Sequence, residues 1–198
     1  MPASFFARDA VTVARALLGK RLRLGTSEGV IVETEAYAGD PASHAVTRPH
    51  TGRLLWTTHA RVYVYRIYGV HLCLNVTADA SAPGAVLLRA VEPTAGLRRM
   101  AARRGVPLAD EGDARAWTRA LRALCAGPGR LAEAFGVTMA LQGTPVGRRL
   151  VVLDGPVPRA ITATPRIGIS AAQDLPWRFV VAESPYLSRG LPKPSLRP

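Results

Sequence analysis

Apolar positions at Val11, Ala14, Leu17 and Leu18 recur at helical spacing through residues 8–18, and Gly19 follows as a natural C-terminal stop. The period then changes from helix to strand. Residues 20–24 predict a strand and Gly25…Gly29 a turn. The run 30–37 (VIVETEAY) alternates, with Val30, Val32 and Thr34 on one face and Ile31, Glu33, Glu35 and Tyr37 on the other. Residues 38–60 are rich in Gly, Pro, Ser and His and predict a long loop. Residues 62–77 (VYVYRIYGVHLCLNVT) predict a hairpin around Tyr68-Gly69. A two-residue loop would put Tyr63 and Tyr65 on the face opposite His71 and Asn75. A three-residue loop, 68–70, with Gly69 free to take positive φ, pairs Tyr65 with Cys73 and Tyr63 with Asn75. Only that register collects Val62, Val64, Leu72, Leu74 and Val76 on one apolar face, so it is the one expected.

Further along, 85–93 (AVLLRAVEP) predicts a buried strand ending at Pro93, and 94–104 and 114–135 predict helices, the second interrupted at 127–129. From Arg149 to Val181 short strands alternate with turns. No repeat or linker divides the chain, which gives one domain over 1–189 and a disordered, Pro-rich tail over 190–198, with order fading from Ser188 onward. The element order α-β-β-hairpin-β-α-α-β-β predicts an α+β fold: a single mixed domain with a curved, largely antiparallel sheet, flanking helices and a protruding hairpin.

Composition narrows the classes. In 198 residues, 48% hydrophobic and 20% charged content excludes a disordered or collagen-like chain. The 26 Lys+Arg against 14 Asp+Glu give a net charge of +12, which calls for a polyanionic partner, most simply nucleic acid. No apolar run approaches the roughly 20 residues of a membrane span. The N-terminal sequence lacks the apolar run and cleavage site of a signal peptide, and Cys73 and Cys125 form no metal-type pair. A reduced, cytoplasmic setting is expected.

The charge is not spread evenly. Between Pro41 and Ala78 there is no acid, yet this window holds Arg48, Arg53, Arg61, Arg66, all four histidines, and Trp56, Tyr63, Tyr65 and Tyr68. Cations interleaved with aromatic faces suit phosphate contact and base stacking. Tyr63 is equally well explained as a core residue. Tyr68, at a hairpin tip, has little to pack against within its own domain and is a candidate wedge for a duplex. The histidine spacings (44, 50, 59, 71) match no zinc pattern, so no metal is expected. Arg98, Arg99, Arg103 and Arg104 have the spacing of a solvated helix face. Upstream, Glu33 and Glu35 share a strand face, which on spacing alone reads as an exposed strand edge. As catalytic groups they lie only about 7 Å apart, too close to flank a scissile bond from opposite sides, so a single working carboxylate is the better reading of that kind.

Five blocks in order, VETEAYAGDPASHA (32–45), YVYRIYGVHLCLNV (63–76), LLRAVEP (87–93), LCAGPGRLAEAFG (124–136) and PRIGIS…DLPWRFVVAESPYLSR (165–189), resemble the 3-methyladenine (alkyladenine) DNA glycosylase family from about Arg8 to Arg189. The resemblance implies a monomeric, cofactor-free, monofunctional repair enzyme. It acts on double-stranded DNA containing damaged purines of the 3-methyladenine, 7-methylguanine, hypoxanthine and ethenoadenine class. It flips the damaged base and hydrolyses its N-glycosidic bond, starting base excision repair. Glu35 matches the general base that activates water; Arg89 and the backbone carbonyl near Ile169 match groups that hold it. Tyr37, His44 and Tyr65 match the residues enclosing the base, Asn75 the pocket floor, and Tyr68 the side chain that fills the gap in the duplex. One segment departs from the pattern. Relatives carry Arg-Asn, Met-Phe and a Pro-Gly turn before Tyr-Val-Tyr, where this chain has TGRLLWTTHARVYVY.

The residues agree with this on their own terms. Extruding a base costs a few kcal/mol, which an inserted aromatic and a stacking pocket offset. An alkylated purine already carries positive charge and leaves with one carboxylate at work. No lysine lies between Lys20 and Lys193 to serve as a Schiff-base nucleophile. The alternative is a non-catalytic nucleic-acid-binding domain of related fold; Glu35 beside Arg89 argues against it, since a binder of polyanions gains nothing from a carboxylate there.

Overall fold

Eleven residues, Ser27–Tyr37, form the long strand β2 on which the sheet is built. Along one edge it pairs with β5 (Ala85–Ala95). The other edge is shared: β1 (Arg21–Leu24) takes residues 27–30, and β8 (Arg178–Val181) takes 33–35. The sheet therefore forks. One branch continues from β1 to β6 (Leu150–Leu153) and the other from β8 to β7 (Ile161–Thr164). Beyond β5 lie β4 (His71–Thr77) and the edge strand β3 (Val62–Ile67). The computed structural model describes residues 1–191; all strand pairs in it are antiparallel, and the expected curled, mixed α+β domain is what it shows. No helix among the described residues is long and apolar enough to cross a membrane.

The hairpin has the expected register: Tyr63 opposes Asn75, Tyr65 opposes Cys73, and Ile67–His71 closes the three-residue loop 68–70. Both Tyr68 (φ 49°) and Gly69 (φ 70°) take the left-handed conformation. For Gly69 this is free of strain, but a tyrosine there costs about 1–2 kcal/mol.

One helical layer covers the inner face of the sheet. α1 (Ala3–Phe6) leads into α2 (Ala10–Leu17), capped by Asp9, and α2 sits on β2, where Thr34 Oγ1 donates to the Ala14 carbonyl at 2.8 Å. α5 (Leu97–Arg104), α6 (Ala114–Cys125) and α7 (Pro128–Phe135) complete the layer, with Leu121, Leu124, Leu131 and Phe135 buried against Val86, Leu88 and Val91. Gly127 and Pro128 separate α6 from α7 as the sequence predicts.

Several expectations need correction. The strict alternation of 30–37 fails because the β2–β5 ladder is bulged: Val32 and Arg89 are both passed over in the register. Ile31 consequently joins Thr34 and Ala36 on the helix side, while Val32 lies opposite in a small cluster with Ala90, Val180 and Leu187. The Gly25…Gly29 turn is shorter, since Leu24 already pairs with Ser27. β5 runs past Pro93 to Ala95, and Pro93 is tolerated where the register shifts beside Gly29. Residues 38–60 are not a bare loop: α3 (His44–Thr47) and α4 (Pro49–Thr57) occupy them, with Pro49 opening α4 and Leu55 buried on its inner side. The arginines of α5 are also less free than expected, since Arg103 bonds Ser27 and the Ala134 carbonyl, and Arg104 pairs with Glu133. At the C-terminal end, Ser188 and Arg189 are tied into the sheet, as described below; of the predicted tail, residues 192–198 lie outside the described residues.

Candidate active site

The outer face of β2–β5–β4, with α3, α4 and residues 167–171, encloses a cavity of about 520 Å³, within the range of small-ligand sites. Tyr37, His44, Tyr65, Asn75, Arg89, Ile169 and Tyr68 all line it. The eighth candidate, Glu35, does not. Its carboxylate is fully buried beneath the cavity, and every group that bonds it belongs to a lining residue. Tyr37 OH (2.9 Å) and Arg89 Nη1 (3.2 Å) donate to Oε2, and the Ile167 backbone N–H (2.7 Å) donates to Oε1. The backbone group meeting Glu35 is thus the Ile167 N–H, whereas the Ile169 carbonyl accepts from Gln173 at 2.8 Å.

Aromatic walls follow from the hairpin register and from α3. His44 lies edge-on to Tyr65 with ring centres 4.3 Å apart, and its Nδ1 is 2.8 Å from Tyr63 OH. Burial and the neighbouring Arg48 push its pKa down to about 4, so the imidazole is neutral at neutral pH. Tyr63 OH can donate to Nδ1, the arrangement that would leave the ring proton on Nε2. The backbone of His44 is set by an unusually close crossing of α4: a Cβ on Gly52 would come within 2.1 Å of the His44 carbonyl oxygen. Tyr37 is braced from behind by Arg166, whose guanidinium lies 4.7 Å from the Tyr37 ring centre and 5.1 Å from that of Trp177. Asp40 neutralises that cation at 2.6 and 3.2 Å. Burial and Glu35 raise the Tyr37 phenol, and burial and Cys73 raise Tyr65; both stay protonated.

Asn75 donates both amide hydrogens to the hairpin backbone, to Tyr63 O (3.1 Å) and Cys73 O (3.4 Å). Tyr68, at the tip, is 89% exposed. On either side of the hairpin, basic clefts adjoin the cavity. One is lined by Arg48, His50, Arg53 and Arg66, the other by His71, Arg104 and Arg130, and no acid lines either cleft or the cavity. Among the described residues no three His, Cys, Asp or Glu side chains form a metal-holding group.

Some of this was out of reach of local sequence spacing. Tyr63, evenly balanced between core and site, proves to orient His44. Arg166 reaches Ala36 and Asp40 from 130 and 126 residues along the chain, and only its charge marked it. Gly52 gave no signal, since a glycine is ordinary in a segment whose composition reads as a loop.

The family model described as methylpurine-DNA glycosylase matches residues 4–185. A protein of Agrobacterium fabrum is 44% identical over 193 residues, covering 96% of this chain and 92% of its own length. One of Nitrosospira multiformis is 42% identical over 98% of this chain and 97% of its own. One of Methanoculleus marisnigri is 41% identical over 96% and 98%. All three bear the name "Putative 3-methyladenine DNA glycosylase". With a buried carboxylate under an aromatic, acid-free cavity and likeness along nearly its whole length, the chain belongs to the methylpurine-DNA glycosylase family, enzymes that hydrolyse N-glycosyl bonds in DNA.

Proposed function

We propose that this protein is a monofunctional glycosylase that extracts alkylated or deaminated purines from duplex DNA and hydrolyses their N-glycosidic bond with a water activated by Glu35. The observation that carries the reading is Glu35 itself: a fully buried carboxylate whose partners all face a cavity without another acid. A base in the cavity stacks on Tyr37 and Tyr65, and neutral His44 donates from Nε2 to an acceptor on the purine edge. Water replaces one contact of the carboxylate. Its oxygen attacks C1′ of the sugar as the C1′–N bond breaks, the bond pair leaves with the base, and Glu35 takes the proton. A cationic 3-methyladenine or 7-methylguanine leaves as a neutral base. Hypoxanthine and ethenoadenine need more help from the site, since they start neutral.

Support for the rest is of the same kind. Tyr68, exposed and held in a strained backbone conformation, supports the reading of a side chain that enters the stack vacated by the flipped base. Among the described residues no lysine lines the cavity, and Lys20 pairs with Asp154 instead, which favours simple hydrolysis over a lyase step. We take the enzyme to act as a monomer, without cofactor or metal, in the cytoplasm alongside chromosomal DNA. The test is release of free base from duplexes carrying 3-methyladenine, 7-methylguanine, hypoxanthine or ethenoadenine. Release by the wild type and not by Glu35→Gln supports the reading. Tight lesion binding with no release of any base would leave the non-catalytic alternative.

A further inference from the structure

Arg89 is held at three points. Its Nη1 meets Glu35 (3.2 Å), its Nε donates to Glu33 Oε1 (2.9 Å), and its Nη2 donates to Ser188 Oγ (3.3 Å). A guanidinium is planar, so fixing Nε and Nη2 fixes where Nη1 lies. Glu33 and Ser188 are themselves locked together: the Ser188 N–H donates to Glu33 Oε2 (2.6 Å) and its hydroxyl to Oε1 (2.7 Å). Arg178 Nε adds a further donor to Glu33 Oε1 at 2.8 Å.

The segment carrying Ser188 is anchored on both sides. Arg122 donates to the Leu187 carbonyl (3.2 and 3.3 Å), and Arg178 Nη2 to the Arg189 carbonyl (2.6 Å). Leu187 is buried against Val32, Ala90 and Val180. Val32 is where the β2–β5 ladder is bulged, and the same irregularity leaves Arg89 unpaired in the register, so that Arg89 and Ala90 share the outer face.

We propose that Glu33 and Ser188 are positioning residues: through Arg89 they set the place of Glu35, making residues 187–189 part of the machinery under the cavity floor. Neither lines the cavity, so neither acts on the substrate directly. The charges fit this role. Two carboxylates face two guanidiniums, so Arg178 supplies the second cation for Glu33, and Arg89 keeps its pull on Glu35.

The proposal rests on the glycosylase reading, and its test keeps the two apart. In the full-length protein, Ser188→Ala removes one anchor of Arg89 and one acceptor contact of Glu33 while keeping the backbone N–H bond. The expected result is a single-turnover excision rate lowered roughly tenfold at saturating enzyme, as follows from a small displacement of a reacting group. Affinity for the lesion duplex and melting temperature should hardly change, and Ser188→Thr, which keeps the hydroxyl, should restore most of the rate. An unchanged rate in Ser188→Ala overturns the positioning role. So does a loss of rate, affinity and melting temperature together, or a threonine variant no better than alanine. A wild type that releases no base from any lesion duplex overturns the glycosylase reading and this proposal with it; release by the wild type with Ser188→Ala unaffected overturns only this one.

Discussion

Glu33 and Glu35 sit two residues apart on β2, are both fully buried, and both accept a hydrogen bond from Arg89. Their surroundings differ. Around Glu33 the donors are Arg178, Ser188 and Arg89, arriving from β8, the C-terminal segment and β5, and none but Arg89 lines the cavity. Around Glu35 every donor lines it. One carboxylate closes the joint between three parts of the sheet; the other is reached from the cavity by displacing a single contact. A strand sequence such as E-T-E offers the two as equals, and tertiary neighbours tie one of them into the sheet and set the other against the cavity lining.

The difference is open to direct attack. Glu35→Gln should lower excision by roughly 10²–10⁴-fold while lesion binding and melting temperature persist, measured by single-turnover base release beside equilibrium binding. Glu33→Gln should do the reverse in emphasis. It leaves two buried guanidiniums short of their counter-charge, and a loss of about 3–5 kcal/mol in urea unfolding is expected, with a smaller intrinsic loss of rate in the fraction that folds. Two variants with matching profiles would erase the contrast.

Acid should separate the regions next. Burial tends to raise the Glu33 carboxyl, but Arg89, Ser188 and Arg178 outweigh it and hold the group below its usual 4.5. Its stabilising contribution is therefore present above about pH 4.5 and is lost as the pH falls further. His44 acts earlier. Between pH 6.5 and about 4 the unfolded chain takes up a proton that the folded imidazole refuses, so stability falls as the pH falls through that interval. Chemical denaturation from pH 7 to 3 should show two successive losses, and His44→Gln should remove only the first.

Asn75 belongs to both sides of the comparison, since it lines the cavity yet ties the hairpin backbone together. In the proposed base pocket, the amide beside Tyr63 would crowd the exocyclic 2-amino group that guanine has and hypoxanthine lacks. Asn75→Ser should raise the ratio of guanine-type to hypoxanthine release from matched duplexes. An unchanged ratio with a lower melting temperature would assign it to the structural side alone. Tyr68→Ala, at the tip, should leave stability nearly unaltered. It should weaken lesion-duplex binding with a salt slope parallel to wild type, because a tyrosine neutralises no phosphate.

What the sequence disclosed and what it withheld divide along the same line. The hairpin register was legible because only one loop length keeps Val62, Val64, Leu72, Leu74 and Val76 together, and the helices because Leu121, Leu124, Leu131 and Phe135 keep helical spacing. The eight candidate residues gather at one place, which the family resemblance supplied more than the spacing did. The bulge that turns Val32 and Arg89 outward was invisible, since alternation alone cannot show a skipped residue. So was the Glu33–Ser188 bond, which joins residues 155 apart in the chain. The two short helices of 44–57 were hidden by loop-like composition, because their apolar contacts are few and are made with the hairpin rather than the main core.

Gly52 contributes no atom to the chemistry, yet its missing side chain lets α4 press against the backbone of His44. Even alanine would have to push that carbonyl aside, displacing the His44 wall of the cavity. In a saturation scan of this protein, then, a position with no side chain to donate, accept or stack should tolerate as few replacements as Glu35. A map of mutational intolerance would mark Gly52 as part of the site, although the map would be recording an empty space.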